Sequence, residues 1–218
     1  MIEFDQDPYR LSGTVYGVLM NDPKSLDAIG GAVNRAPYKA APEAPVLYLK
    51  PRNTLISQNT EMQLAANEAA VEINATIGLV FKKAACRVRK EDVADVVAGM
   101  VLVTDLTIPH GSFYRPSVRF KARDHSCVVA KSIVPLNSIH EIGSVELSIE
   151  INGAHAGTYS FNNMVRSADQ LVADVTDFMT LSRGDILLIG LKADAVLAKK
   201  GDRFKVTSSL GTVNGVIA

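Results

Sequence analysis

Glu72, Asp105, His110, Lys121 and the pair Lys50 and Arg52 are the side chains whose types and placement could do chemistry. Lys50-Pro51-Arg52 puts two cations beside a proline, a pattern able to hold a dicarboxylate because Arg can grip a carboxylate bidentately; the plainer reading is a structural turn. His110 has an unperturbed pKa near neutrality and could move a proton, or it is an exposed loop histidine. Glu72 lies in an apolar stretch. Alternation sends Val71, Ile73 and Ala75 to one face and Glu72, Asn74 and Thr76 to the other, so Glu72 faces either solvent or a polar site. Asp105 ends an apolar run, as a turn residue or a functional carboxylate. Lys121 sits among Arg119, Arg123 and Asp124, a solvated face or an active-site group. The other histidines, His125, His140 and His155, make no pair at zinc-site spacing.

The elements that must position these groups are mostly strands. Val15–Leu19, Val46–Leu49, Ala69–Phe81 and Met100–Asp105 are apolar or β-branched, and so are Cys127–Val134, Val145–Ile151, Ile186–Ile189 and Phe204–Thr207. Asp22-Pro23 opens a helix expected to reach about Asn34, weakened at Gly30-Gly31. Glu91-Asp92 opens a short helix that Gly99 is expected to stop. Ile108 to Asp124 reads as a loop. Asn152-Gly153 signals a hairpin, and Ser167 to Gln170 a capping box ahead of a helix with Leu171, Val172, Val175, Phe178 and Met179 on its apolar face. The sum is an α+β chain, mainly β, with a few short helices.

The chain has 218 residues, 47% of them hydrophobic, and a formal net charge of zero. That balance offers no basic footprint for nucleic acid and no polybasic membrane patch. No apolar run approaches a membrane span, and the acidic N-terminus lacks the pattern of a signal peptide, so a cytoplasmic location is expected. Cys86 and Cys127 are expected to be buried, inert thiols. There is no glycine-rich dinucleotide or P-loop motif.

Several stretches in order carry a resemblance: Leu49-Lys50-Pro51, Val97-Ala98-Gly99, Asp105, Ser112-Phe113-Tyr114-Arg115-Pro116, Lys121 with Asp124, Asn152-Gly153, Gly184-Asp185 and Leu210-Gly211-Thr212. With these the chain resembles the fumarylacetoacetate hydrolase family, from about Gly13 to Val216. Within it, the chain is similar to the amino-terminal type of half found in bifunctional isomerase/decarboxylases of 4-hydroxyphenylacetate breakdown. The resemblance implies one mixed β-sheet domain over residues 1–218, with 1–12 as a loose extension. It implies Glu72 and Asp105 as ligands of Mg²⁺ or Mn²⁺. A third ligand falls on Ala70, which has no donor, and Glu68 is the carboxylate that could replace it if it shares a strand face with Glu72. Lys121, Asp124 and His110 would be catalytic, and Lys50 and Arg52 would bind substrate. A family arginine is missing at Pro109, and a family threonine at Leu191.

The implied activity is isomerisation of 2-hydroxyhepta-2,4-dienedioate and decarboxylation of 5-oxopent-3-ene-1,2,5-tricarboxylate, a small keto-dicarboxylate chemistry. The expected assembly is a homodimer or a heterodimer with a homologous subunit. Two alternatives follow from the same resemblance: a catalytically degenerate partner of a metal-complete homologue, and another family hydrolase such as an acylpyruvate hydrolase.

Overall fold

The computed structural model describes residues 2–3, 10–11, 13–112, 117–136 and 138–218. Residues 113–116 of the Ser112–Pro116 motif and most of the 1–12 extension lie outside the described residues. In chain order the first elements are β1 (Ile2–Glu3), β2 (Arg10–Leu11), β3 (Val15–Leu19), α1 (Pro23–Ile29), β4 (Val46–Lys50), β5 (Leu55–Ile56) and β6 (Thr60–Met62). The middle of the chain holds β7 (Val71–Phe81), α2 (Val93–Val96), β8 (Val97–Thr107), α3 (Val118–Lys121), β9 (Cys127–Val129) and β10 (Val134–Pro135). The rest is β11 (Glu146–Ile151), β12 (Ala154–Ser160), α4 (Ala168–Phe178), β13 (Ile186–Leu188), β14 (Val196–Ala198), β15 (Arg203–Ser208) and β16 (Gly211–Ile217).

Nine of these strands form a mixed sheet along the path β4-β3-β13-β7-β8-β9-β5, with β10 on β8 and β14 on β7. Its two end strands, β4 and β5, are neighbours in sequence, joined only by Pro51 and a 3₁₀ turn over Arg52–Thr54. So short a connection spans no more than about 20 Å, which forces the sheet to curl until its edges approach. A second sheet runs β12-β11-β15-β16-β6. The two long central strands pair antiparallel, Glu72 opposite Thr107 and Asn74 opposite Asp105. Both faces of this pair are buried, which is why its sequence is apolar almost throughout and the few polar residues mark a site.

Local departures from the sequence reading have physical causes. The first helix ends as α at Ile29 and continues as a 3₁₀ turn through Gly30–Asn34, where Gly30 takes φ +54°. Gly99 does not stop α2 but lies inside β8. A Cβ there would come within 2.2 Å of the Val134 carbonyl, so glycine lets β10 pair closely. The 108–124 stretch contains α3, and the expected strand 127–134 is split into β9 and β10. Ser167 caps α4 by position, yet its side chain accepts no cap hydrogen bond. Phe178 is exposed at 60%, away from the buried face of Leu171, Val172 and Val175. Asn152 and Gly153, at φ +53° and +82°, make the expected hairpin turn between β11 and β12.

Candidate active site

Asp105 is the centre of a buried polar cluster. Alternation places Glu72, Asn74, Asp105 and Thr107 on one face of β7 and β8. Lys50, at the end of β4, crosses the seam of the curled sheet and donates to Asp105 Oδ1 at 2.7 Å. Its other two N–H groups go to Ser126 Oγ at 2.8 Å and to the Lys121 carbonyl. All three ammonium protons are thereby used, which makes a fully buried lysine tolerable. Tyr48, two positions earlier on the same face of β4, donates its hydroxyl to Asp105 Oδ2 at 2.5 Å. Its ring lies over Gly17 in the neighbouring strand; a Cβ at that position would sit 1.9 Å from the ring.

Lys121 closes the cluster. It ends α3, whose backbone is tied to β8 by the Ile108 N–H donating to the Phe120 carbonyl at 3.0 Å. Its ammonium donates to Thr107 Oγ1 at 2.9 Å and approaches Asp105 Oδ2 at 3.3 Å, 4.4 Å from the centre of the Tyr48 ring. Two buried cations thus share one carboxylate. Burial alone would raise the Asp105 pKa, but the Lys121 and Lys50 charges and the Lys50 and Tyr48 hydrogen bonds outweigh it and hold it below the ordinary value. Burial lowers the Lys121 pKa, and Lys50 adds to the effect while Asp105 and Glu72 oppose it. Burial, and then Asp105, push the Tyr48 phenol well above its usual range.

Lys121 also faces a small cleft shared with Glu72, Asn74, His110 and Lys192. Asn74 Nδ2 donates to Glu72 Oε2 at 3.3 Å. His110 stacks on Phe120 with ring centroids 4.8 Å apart, and its Nδ1 lies 3.0 Å from the Ile108 carbonyl. A carbonyl only accepts, so Nδ1 carries a proton in that contact.

The structure therefore gathers Glu72, Asp105, His110 and Lys121 in one place and sends three other candidates elsewhere. Asp124 is exposed and accepts from Asn53 Nδ2 at 2.6 Å; the carboxylate beside Lys121 is Asp105. Arg52 is exposed in the 3₁₀ turn, whereas Lys50 is buried with no donor to spare, so the two do not form one clamp. Glu68 precedes β7 and does not lie on its face. Its oxygens accept from the Ala65 N–H at 2.8 Å and from Arg123 at 2.7 Å. Tyr48, Thr107, Ser126 and Lys192 belong to the site although their types attract no attention in sequence. Only Tyr48 left a signal, its two-residue spacing from Lys50 on a strand.

These donors do not fit a divalent cation. Asp105 Oδ1 receives Lys50 and Thr107 and Oδ2 receives Tyr48 and Lys121, which fills the lone-pair directions of the carboxylate. Ala70 offers nothing and Glu68 is engaged elsewhere, leaving Glu72. Among the described residues no group of three His, Cys, Asp or Glu side chains is arranged to hold a metal ion. Cys127 is buried under the cluster, its thiol pushed up to about 12 by burial, while Cys86, expected inside, is exposed.

The family model for the fumarylacetoacetate (FAA) hydrolase C-terminal domain matches residues 14–218. This chain belongs to the fumarylacetoacetate hydrolase family. It is 34% identical over 196 residues to the 4-hydroxyphenylacetate degradation bifunctional isomerase/decarboxylase of Escherichia coli, covering 90% of this chain and 44% of that protein. The chain thus spans less than half the length of that relative. The fold of the family is equally plain. The 5-carboxymethyl-2-hydroxymuconate delta-isomerase of Mycobacterium smegmatis superposes with a TM-score of 0.75 at 25% identity, over 95% of this chain and 79% of that one. Fumarylpyruvate hydrolase of Pseudomonas aeruginosa, solved with Mn²⁺ and pyruvate, superposes with a TM-score of 0.79 at 18% identity, over 100% of this chain and 94% of that one. Fumarylacetoacetate hydrolase family relatives are enzymes, and a mainly β fold of curled mixed sheets is common to them and to this chain. Among the described residues no helix is long and apolar enough to cross a membrane.

Proposed function

We propose that this chain is an isomerase-type subunit acting on unsaturated 2-oxo dicarboxylates, of the kind handled in 4-hydroxyphenylacetate catabolism, and that its proton transfer runs on its own side chains. The observation that carries this reading is the pair of buried lysines on Asp105 beneath a cleft that also holds Glu72 and His110.

Consider a 2-hydroxy-2,4-dienedioate in the cleft. Glu72 takes the proton of the enol hydroxyl. The oxygen's electron pair forms the C2 carbonyl, the double bonds shift by one carbon along the chain, and C5 takes a proton back from Glu72. Atoms and charge balance, and the product is the 2-oxo-3-enoate. Between the two transfers negative charge rests on the C2 oxygen. Lys121 has one N–H beyond those used on Asp105 and Thr107 to offer it, in a site where burial makes such a contact strong. Asp105 and Lys50 act one step back by fixing Lys121. Decarboxylation of 5-oxopent-3-ene-1,2,5-tricarboxylate would leave a similar enolate, for which the same lysine serves.

The test is turnover of the dienol and of the tricarboxylate by the purified chain, followed by ultraviolet absorbance, with Mg²⁺ and then with excess EDTA. Turnover that persists in EDTA is expected. Turnover that EDTA abolishes overturns the side-chain mechanism.

A second reading is favoured by the misfit of the donors to a metal and by the 44% coverage of the bifunctional relative: a catalytically silent partner of a metal-complete homologue. It predicts no turnover by this chain alone and a stable heterodimer on mixing, against the homodimer or active heterodimer of the first reading. Light scattering on each chain and on the mixture separates these. The acylpyruvate hydrolase reading has less support, because hydrolysis calls for an activated water and, among the described residues, no donor set fits the ion that would activate it.

A further inference from the structure

We propose that Lys192 is a second ligand-binding cation of this cleft and that it receives the distal carboxylate of a dicarboxylate whose 2-oxo acid end lies at Lys121; the proposal rests on the functional reading above. Nothing in the sequence singles Lys192 out, and its role comes from how the loop after β13 is held. Asn21 Nδ2 donates to the Ile189 carbonyl at 2.6 Å, Thr76 Oγ1 donates to the Gly190 carbonyl at 2.6 Å, and the Ala193 N–H donates to Asp22 Oδ2 at 2.9 Å. Three anchors within five residues fix the backbone that carries Lys192. Gly190, at φ +144° and with its Cβ position 2.8 Å from Met164, lets the loop pass tightly over Asn21 and Met164.

The side chain is held as well. Asp22 Oδ1 takes one ammonium proton at 3.2 Å and the Phe161 ring lies 5.8 Å away. Asp22 is 3% exposed and Lys192 19%, so the acid lies behind and the ammonium in front. One of its three protons is used and two remain for a ligand. Both Lys192 and Lys121 line the cleft, and Glu72 in the same wall repels a carboxylate placed between them. A ligand with one anionic group has one good place in such a cleft, and a chain with a carboxylate at each end has two. An ordered loop and a prealigned ammonium also reduce the ordering cost of binding.

The probes are 2-oxoadipate and 2-oxohexanoate, matched in length and in the 2-oxo acid end and differing only in the distal carboxylate. Binding is measured by calorimetry or ligand-observed NMR in the presence of EDTA. The full chain is expected to bind 2-oxoadipate at least about tenfold more tightly, the worth of one charge-assisted contact of about 1.4 kcal/mol. Lys192→Met should bring the two affinities within about twofold by weakening 2-oxoadipate alone, and Lys192→Arg should keep the preference. Asp22→Asn combined with Lys192→Met removes both partners, leaves no buried orphan charge, and should show the same collapse. Equal affinities in the unaltered chain, a preference that survives Lys192→Met, or no binding of either probe overturns the proposal. Loss of turnover with the preference intact refutes the isomerase reading alone. Turnover without the preference refutes only the role of Lys192.

Discussion

Replacing Asp105 with Asn keeps the shape of the side chain and removes the one charge that two buried ammonium groups share. Lys50 is 0% exposed and Lys121 2%, so neither can turn to water for compensation. Breaking a buried ion pair by deleting one partner costs about 3–5 kcal/mol. At about 2–4 °C per kcal/mol for a chain of this size, Tm should fall by roughly 6–20 °C. The deficit should depend on pH in a defined direction. The folded Lys121 pKa is already lowered, by burial first, and Asp105 is the main opposing influence. Without that charge it falls further. Between the folded value and the unfolded value of about 10.4 the unfolded chain binds the extra proton, so stability rises with pH across that window. The deficit of the variant is therefore largest below that window and shrinks as pH rises through it. On the acid side, the lowered pKa of Asp105 contributes stability to the unaltered protein that is complete above the unfolded value of about 3.9 and lost as pH falls through the folded one. The assay is urea unfolding followed by circular dichroism at pH 6 and pH 9.5, since the chain has no tryptophan. Adding Lys121→Met to the variant should restore part of the loss at pH 6. A deficit below about 1 kcal/mol, or one equal at the two pH values, refutes the shared-carboxylate account.

Other outcomes follow from the same geometry. On the proposed mechanism, Glu72→Gln should lower kcat for dienol isomerisation by about 10²–10⁴-fold with a much smaller change in KM, because it removes a proton acceptor and keeps the shape; stopped-flow absorbance reads both. Gly17→Ala should dislodge the Tyr48 ring, whose Cζ is 1.9 Å from the new methyl position, and cost more stability than Tyr48→Phe, which loses only the hydrogen bond to Asp105. Of the two cysteines, Cys86 should react with a disulfide reagent in the native chain and Cys127, buried and with a pKa near 12, only after unfolding; thiol titration with and without denaturant counts them.

Much of this protein could be read from residues in order. The apolar runs 69–81 and 100–105 read as strands, and period two puts Glu72 with Asn74; the structure extends the second strand to Val97–Thr107, which brings Thr107 onto the face of Asp105. The Asn152-Gly153 turn and the weakness of the first helix at Gly30-Gly31 are likewise local, because backbone preference at one or two residues decides them, although the helix expected to reach Asn34 ends as α at Ile29. The family itself was legible from motifs in order, and the match over residues 14–218 bears it out.

What only the tertiary structure decided is who partners whom. Lys50 and Arg52 are neighbours in sequence, yet one is sealed against Asp105 and the other is in solvent, since the sheet's seam falls between β4 and the turn that follows. Lys121 and Asp124 look like a local pair, but the carboxylate beside Lys121 arrives from β8. Tyr48 reaches Asp105 because Gly17 leaves room for its ring, and Lys192 enters the cleft because residues 21, 22 and 76 hold its loop. Sequence determines strand, turn and face through short-range preferences of period two. The charge balance of a buried site depends on which distant side chains the curled sheet brings within 3 Å, and no spacing along the chain encodes that distance.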